Sequence, residues 1–66
     1  MTTEERFKQL KVLLGDLDDL NQQRRRVYTD WAMQKIEPGA FAAAMLENLS
    51  RTRQATDAME SLIRAS

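Results

Sequence analysis

The sequence predicts an all-α protein, an antiparallel hairpin of two helices over about residues 3–36 and 38–65. Its 66 residues contain one proline and two glycines, and Pro38 and Gly39 stand together near the middle of the chain. On either side of this pair, apolar residues recur at steps of three and four, the spacing of one buried helical face. A chain of this length forms one domain at most, so residues 1–66 are assigned to a single helical-hairpin domain.

The first helix is expected to begin at a capping box and to end before the proline. Thr2 and Glu5 have the spacing at which each side chain can bond the backbone N–H of the other residue. Pro38 disfavours the helical conformation at Glu37, so we expect this helix to end by about Ile36. Its apolar positions are Phe7, Leu10, Leu13, Leu14, Leu17, Leu20, Val27, Tyr28 and Trp31.

Gly15 is the one weak point inside the first helix. A glycine in a helix interior costs about 1 kcal/mol relative to alanine, and Asp16 has the side chain to cap a new helix. The apolar positions nevertheless continue in phase from Leu14 to Leu17. We therefore expect one continuous helix, with a break at Gly15 as the alternative.

The second helix is expected to start at Pro38, because the missing N–H of proline costs nothing at the first helical position. If the chain folds back about Pro38, residue i of the first helix faces approximately residue 76 − i, which places Trp31 opposite Met45. The apolar positions of the second helix are Phe41, Met45, Leu46, Leu49, Thr52, Ala55, Met59, Leu62 and Ile63.

The middle of the contact between the helices is predicted to be polar. The expected pairing places Asn21 and Arg24 opposite Thr52 and Ala55. A polar layer lowers stability but can fix the register and the oligomeric state of a helical assembly. The alternative is that Asn21 and Arg24 lie at the edge of the stripe and that Arg24 extends its guanidinium group into water.

The composition argues against catalysis and against bound metals. The chain has no cysteine and no histidine, so it offers no thiol nucleophile, no imidazole base and no mixed zinc site. Its two glycines are isolated, which leaves no glycine-rich phosphate loop. We expect no enzymatic activity, no metal and no cofactor.

The same composition suggests a cytoplasmic protein. No apolar run approaches the ~18 residues that a membrane span needs, and the first residues lack the basic and apolar regions of a secretion signal. The absence of cysteine fits a reducing compartment. No membrane partner is expected.

A hairpin of this size buries too little surface to be comfortably stable alone. Small domains compensate with disulfides, metals or association, and without Cys or His only association remains. We therefore expect the hairpin to assemble with itself as a homodimer, in a four-helix bundle, or to bind a helix of another protein.

Charged residues are banded along the hairpin. Arg24, Arg25 and Arg26 are predicted to lie near Arg51 and Arg53, forming what we call the arginine belt. The acidic residues Asp16, Asp18, Asp19, Asp57 and Glu60 gather nearer the chain ends. A dimer with its loops at opposite ends would lay each belt beside the partner's acidic band, and such complementarity selects orientation.

The arginine belt also raises the alternative of a nucleic-acid-binding regulator. Nucleic-acid sites are typical of strongly basic domains with a pI above about 9, whereas this chain has ten basic and ten acidic residues and a pI near 6.2. Consecutive residues point about 100° apart around a helix, so three adjacent arginines cannot face one ligand. A solvated or salt-bridged belt is the favoured interpretation.

Aromatic and methionine side chains gather at the predicted loop end, next to a run of small alanines. At helical spacing such residues usually form core, but Trp and Tyr also dominate protein-binding surfaces, and Met adapts to a partner's shape. The candidate protein-binding residues are Tyr28, Trp31, Phe41, Met45, Arg24 and Arg25.

The function predicted from these observations is a small non-enzymatic module for protein–protein interaction, an adaptor, chaperone or inhibitor that acts through its helical faces. In length and plan the hairpin is similar to the plasmid RNA-binding dimers of the Rop type and to the co-chaperones of type III secretion needle subunits. The similarity covers the hairpin plan alone, so no residue's role is taken from either family.

Overall fold

The protein is an all-α hairpin, as predicted. The computed structural model describes residues 2–65, in which α1 spans Thr3–Ala32 and α2 spans Pro38–Arg64. The two helices pack against each other in antiparallel directions, and their Cα atoms extend over 48 × 14 × 10 Å. Met1 and Ser66, which belong to the predicted domain of residues 1–66, lie outside the described residues.

The predicted start and continuity of α1 are confirmed. The Thr2 hydroxyl accepts a hydrogen bond from the Glu5 N–H at 3.1 Å, and the Thr2 N–H donates to Glu5 Oε2 at 3.4 Å, which completes the capping box. Both Glu4 and Glu5 place negative charge at the positive end of the helix dipole. The helix then continues without a break through Gly15.

The predicted end of α1 near Ile36 is wrong, because the helix stops at Ala32. Gln34 adopts a left-handed backbone conformation with φ 59°. Its N–H donates to the Trp31 carbonyl at 3.0 Å, and the Lys35 N–H donates to the Asp30 carbonyl at 2.8 Å. These two bonds form a Schellman motif, which ends the helix with its last carbonyl groups satisfied.

The second helix begins where the sequence predicted. Pro38 is its first residue, and Glu37 before it is extended and forms no side-chain cap. The first intrahelical bond runs from the Phe41 N–H to the Glu37 carbonyl at 2.9 Å. Arg64 is the last helical residue, one residue before the predicted end, and it places a cation at the negative end of the dipole.

The two helices meet along a seam with the seven-residue repeat of a coiled coil, in which buried positions alternate at steps of three and four. Apart from Ala55 and Asn48, which are buried, its residues are half-buried. The seam consists of Leu10, Leu13, Leu17, Leu20, Arg24 and Val27 on α1 and of Phe41, Met45, Asn48, Thr52, Ala55, Met59 and Leu62 on α2.

The register of the seam differs from the predicted one by about four residues. Trp31 stacks on Phe41 rather than lying opposite Met45. Asn48 bonds the Leu20 carbonyl and the Gln23 side chain, so residue i faces about residue 72 − i. The early end of α1 moves the fold-back point toward the N-terminus, and the helices slide by about one turn.

A polar layer does interrupt the seam, with different partners from those expected. Asn48 is 3% exposed and lies level with Arg24 instead of near Tyr28. Its Nδ2 donates to the Leu20 carbonyl at 2.8 Å and to Gln23 Oε1 at 3.3 Å. Among the described residues, Asn48 Oδ1 and Arg24 Nε are buried without a hydrogen-bond partner.

The hairpin buries little apolar surface. Ala55 is the one apolar residue in the buried class among residues 2–65. The accessible surface is 5315 Å², whereas a compact protein of 7.6 kDa exposes about 4,300 Å². The radius of gyration is 15.1 Å, against about 11 Å for a compact chain of this length.

Neither α1 nor α2 combines the length and the apolar character that a membrane-crossing helix requires, as far as residues 2–65 are concerned.

Candidate protein-binding face

Large apolar side chains remain exposed on one side of the hairpin. Phe7 and Leu14 are seven residues apart on α1, and Tyr28 lies two further heptads along the same line. Leu49 and Ile63 have the matching spacing on α2. Phe7 is 65% exposed and Tyr28 58% exposed, although leucine, phenylalanine and tyrosine at this spacing are typical of buried positions. We call these five residues the apolar face.

All five lie on the same side of the hairpin. Leu14, Tyr28, Leu49 and Ile63 each follow directly after a seam residue, and Phe7 lies one heptad before Leu14. In an antiparallel pair, rows at this position of the two helices lie on one side. The opposite side is marked by a groove where Asp16 and Gln23 of α1 meet Arg51 and Gln54 of α2. A second groove on that side is lined by Gln9, Val12, Ala58 and Ala65, among others.

The centre of the apolar face is polar and its two ends are apolar. Asn21 and Thr56 occupy the positions between Tyr28 and Leu49 at the loop end and Phe7, Leu14 and Ile63 at the other end. Asn21 lies next to the polar layer of the seam, because its Oδ1 accepts a bond from Arg24, whereas Thr56 lies eight residues beyond Asn48 toward the chain ends.

A row of residues borders the apolar face on each helix, three residues before or four after its members. The flanking row consists of Glu4, Lys11, Asp18, Arg25 and Ala32 on α1 and of Leu46, Arg53 and Glu60 on α2. All of these residues except Ala32 and Leu46 are charged. Exposed apolar side chains with a charged border have the organisation of a protein-binding surface.

Four of the six predicted binding residues meet at the loop end of this side. A groove there is lined by Arg24, Arg25, Tyr28 and Met45, together with Asn21 and Thr29. Thr29 is fixed by a bond from its hydroxyl to the Arg25 carbonyl at 2.8 Å. The groove is open to solvent and connects to the exposed ring of Tyr28.

The remaining two predicted residues form an aromatic stack beside that groove. The rings of Trp31 and Phe41 lie 4.8 Å apart and nearly parallel, and Tyr28 lies 6.1 Å from Trp31. Phe41 is half-buried, but Trp31 keeps 40% of its surface exposed. Trp31 therefore closes the loop end of the seam on one side and presents the rest of its ring to solvent.

The arginine belt does not form one surface. Arg24 lies in the seam, where its Nη2 donates to Asn21 Oδ1 at 3.5 Å. Arg25 and Arg26 line one groove on the outer surface of α1 with Thr29 and Asp30, and Arg53 lies in the flanking row on α2. Arg51 lies on the side opposite the apolar face and pairs with Glu47 at 2.9 Å.

Sequence reasoning missed the exposed members of this face. Phe7, Leu14, Leu49 and Ile63 were assigned to the same stripes as the seam residues, yet all four are exposed. The sequence did contain a signal for their exposure, because the apolar stripes are wider than a two-helix seam requires. Such a seam uses only the two positions per heptad that alternate at steps of three and four. The extra row at seven-residue spacing lies outside that seam.

The arrangement brings no catalytic constellation to this face. It offers an apolar, partly aromatic strip with a polar centre and a charged border, which is suited to packing against one or two helices. No protein-family model, curated protein or solved structure matches this chain, so its function is inferred from the geometry of this face.

Proposed function

We propose that this chain is a non-enzymatic protein-interaction module that binds through its apolar face, as an adaptor, chaperone or inhibitor does. One observation carries the proposal: five large apolar side chains lie exposed along one side of a hairpin that has almost no buried core. Contiguous exposed apolar surface bordered by polar residues marks interaction sites on soluble proteins. The proposal places the protein in the cytoplasm, in keeping with its lack of cysteine.

The loop end is the part of this surface best suited to supply binding energy. Tyr28 and Trp31 have rigid rings with large exposed area, and Met45 lines the groove beside them with a flexible side chain. Arg25 borders the groove and can pair with an acidic residue of a partner.

The alternative of a nucleic-acid-binding regulator has less support. A basic footprint requires arginines on one surface, whereas the belt is divided among the seam, the outer surface of α1, the flanking row of α2 and the side opposite the apolar face. The net charge is zero. This alternative requires binding to RNA or DNA that weakens steeply with added salt.

Site-specific photo-crosslinking in the producing cells tests the proposal. A photoreactive phenylalanine analogue at Leu49 lies on the apolar face, and the same analogue at Ser50 points to the outer surface of α2 as a matched control. We expect a covalent protein adduct from position 49 and little from position 50.

The mass of the adduct identifies the kind of partner. An adduct of twice the chain mass indicates self-association, and any other protein adduct indicates a different partner; both support the interaction module. Equal labelling at the two positions, or no adduct at position 49, would contradict a binding role for the apolar face.

A further inference from the structure

We infer that the occupant of the apolar face is a second copy of this chain, packed with both loops at the same end of a four-helix bundle. The inference rests on the proposed function and specifies its partner and orientation. In this arrangement a two-fold axis runs parallel to the helices. The α1 helix of each copy then lies against α2 of the other.

The exposed area of the hairpin is sufficient for such a dimer. Its 5315 Å² of accessible surface exceeds by about 1,000 Å² the value expected for a compact protein of its mass. A standard protein interface buries about 800 Å² on each partner. Covering the apolar face of each copy therefore brings the molecule close to the surface area of an ordinary folded protein.

The polar and apolar segments of the face also match in this arrangement. A two-fold axis parallel to the helices brings every level of one hairpin to the same level of its copy. The polar centre around Asn21 and Thr56 then meets the partner's polar centre, and each apolar end meets an apolar end. A centred dimer with opposite loops also satisfies this matching, so the polarity pattern favours self-association without choosing the orientation.

The flanking row selects the orientation with both loops at the same end. In the observed register, Lys11 lies at the level of Glu60 and Asp18 at the level of Arg53. When α1 faces the partner's α2, Lys11 lies beside the partner's Glu60 and Asp18 beside the partner's Arg53. The two-fold axis repeats each pair, so all four contacts join opposite charges.

The opposite orientation brings like charges together in the same row. There α1 faces the partner's α1, and with the helices fully overlapped Lys11 lies near the partner's Arg25. Arg53 of α2 then lies beside the partner's Arg53. Like-charge contacts suppress a competing arrangement even where each attractive pair contributes little affinity. The arginine belt and the acidic band of the whole hairpin would favour a dimer with its loops at opposite ends. Asp16 and Arg51 of those bands, however, lie on the side away from the apolar face and cannot contribute there.

Spin labels at the loop distinguish the orientations. Because the chain has no cysteine, Lys35→Cys gives a single attachment site at the loop end, and Lys8→Cys gives one on the outer surface near the chain ends. Since neighbouring helices of a bundle lie 8–10 Å apart, dipolar spectroscopy should show label separations within about 30 Å at both sites. Opposite loops would instead separate the Lys35 labels by a distance near the 48 Å length of the molecule.

Charge reversal tests the predicted contacts. Lys11→Glu should raise the dimer dissociation constant roughly tenfold, because it places two pairs of like charges across the interface. Lys8→Glu makes the same charge change on the outward surface and should alter the constant by less than about threefold, although Lys8 also loses its 4.0 Å ion pair with Glu4 of the flanking row. The double variant Lys11→Glu/Glu60→Lys should recover most of the lost affinity, although Glu60 also loses its 2.6 Å ion pair with Arg64.

Each result has a defined meaning, provided that circular dichroism shows the variants to be helical. Short label distances at both sites with weakening by Lys11→Glu support the inference. A long Lys35 distance, or stronger association of Lys11→Glu, would overturn the orientation. A protein that stays monomeric at high concentration and yet crosslinks another protein through position 49 would overturn the second copy and leave the proposed function standing.

Discussion

At the scale of single residues, Asn48 has the largest structural consequence. It is the most buried polar side chain of the described residues, and it crosses the seam to bond a backbone carbonyl of the other helix. Only one register brings its Nδ2 within reach of both the Leu20 carbonyl and Gln23 Oε1. Its Oδ1 is left buried without a partner, which costs stability. Asn48 thus fixes the register of the two helices at a cost in the free energy of unfolding.

Asn48→Leu is therefore expected to make the hairpin more stable but less uniform. Removing the unpaired acceptor and adding apolar contact should raise the free energy of unfolding by about 1 kcal/mol. Loss of the cross-helix bonds should allow alternative registers, visible as additional sets of amide peaks in an NMR spectrum. Thr52→Val is the control, because the Thr52 hydroxyl bonds the Asn48 carbonyl within its own helix. A destabilised Asn48→Leu protein with a single set of peaks would contradict this role.

Gln34 carries backbone strain at the end of α1. Its φ of 59° lies in the left-handed region, where a Cβ atom costs roughly 1–2 kcal/mol and glycine is favoured. Gln34→Gly should raise the free energy of unfolding by about 0.5–1 kcal/mol, since the flexibility that glycine adds to the unfolded chain offsets part of the gain. Gln34→Ala keeps the Cβ and should give no such increase. Chemical unfolding of both variants provides the comparison, and equal midpoints would show that Gln34 is unstrained in solution.

At the scale of the helices, Gly15 weakens the longer element. A Cβ added at Gly15 meets nothing within 4 Å, and the residue is exposed in the middle of α1. Gly15→Ala should therefore stabilise the protein by about 0.5–1 kcal/mol through the higher helix propensity of alanine. Gly39→Ala, in the first turn of α2 and equally unobstructed, should give a smaller gain. A loss of stability in Gly15→Ala would indicate that a partner backbone approaches this position.

The helices could be predicted from the sequence because their signals are local. Each signal acts within a few residues of the chain. The signals are the capping box of Thr2 and Glu5, the unbroken spacing of the leucines on both sides of Gly15, and Pro38 in the first turn of α2. The register could not be predicted in this way. It depends on a left-handed Gln34, a conformation that glycine or asparagine would have signalled.

The candidate site was predicted in part, for a related reason. The residues at the loop end are close in sequence to the turn, so Tyr28, Trp31, Phe41 and Met45 gather whatever the register. The burial of Asn48 and the exposure of Leu14 and Leu49 depend instead on which side of each helix meets the other. The burial of these residues is therefore decided by two factors, the shift of the helices by one turn and the small number of positions that a two-helix seam can bury.

At the scale of the whole molecule, stability is expected to depend on concentration. The hairpin buries little apolar surface by itself, so the proposed dimer would favour the folded state by mass action. The midpoint of chemical unfolding should therefore rise as the protein concentration increases over a hundredfold range. Leu14→Gln, which alters the apolar face and not the seam, should reduce that dependence. A highly stable protein with a constant midpoint would contradict the prediction.

The Cα atoms occupy a layer only 10 Å deep, because the two helices lie side by side. In a slab one helix thick, every backbone amide of an isolated copy is a few ångströms from water, and only its own helical bond protects it from hydrogen exchange. In an assembled protein, the backbone amides beneath the apolar face would exchange with solvent only after the partner dissociates. Their exchange lifetimes would then measure how long two copies stay together, rather than how often one copy unfolds.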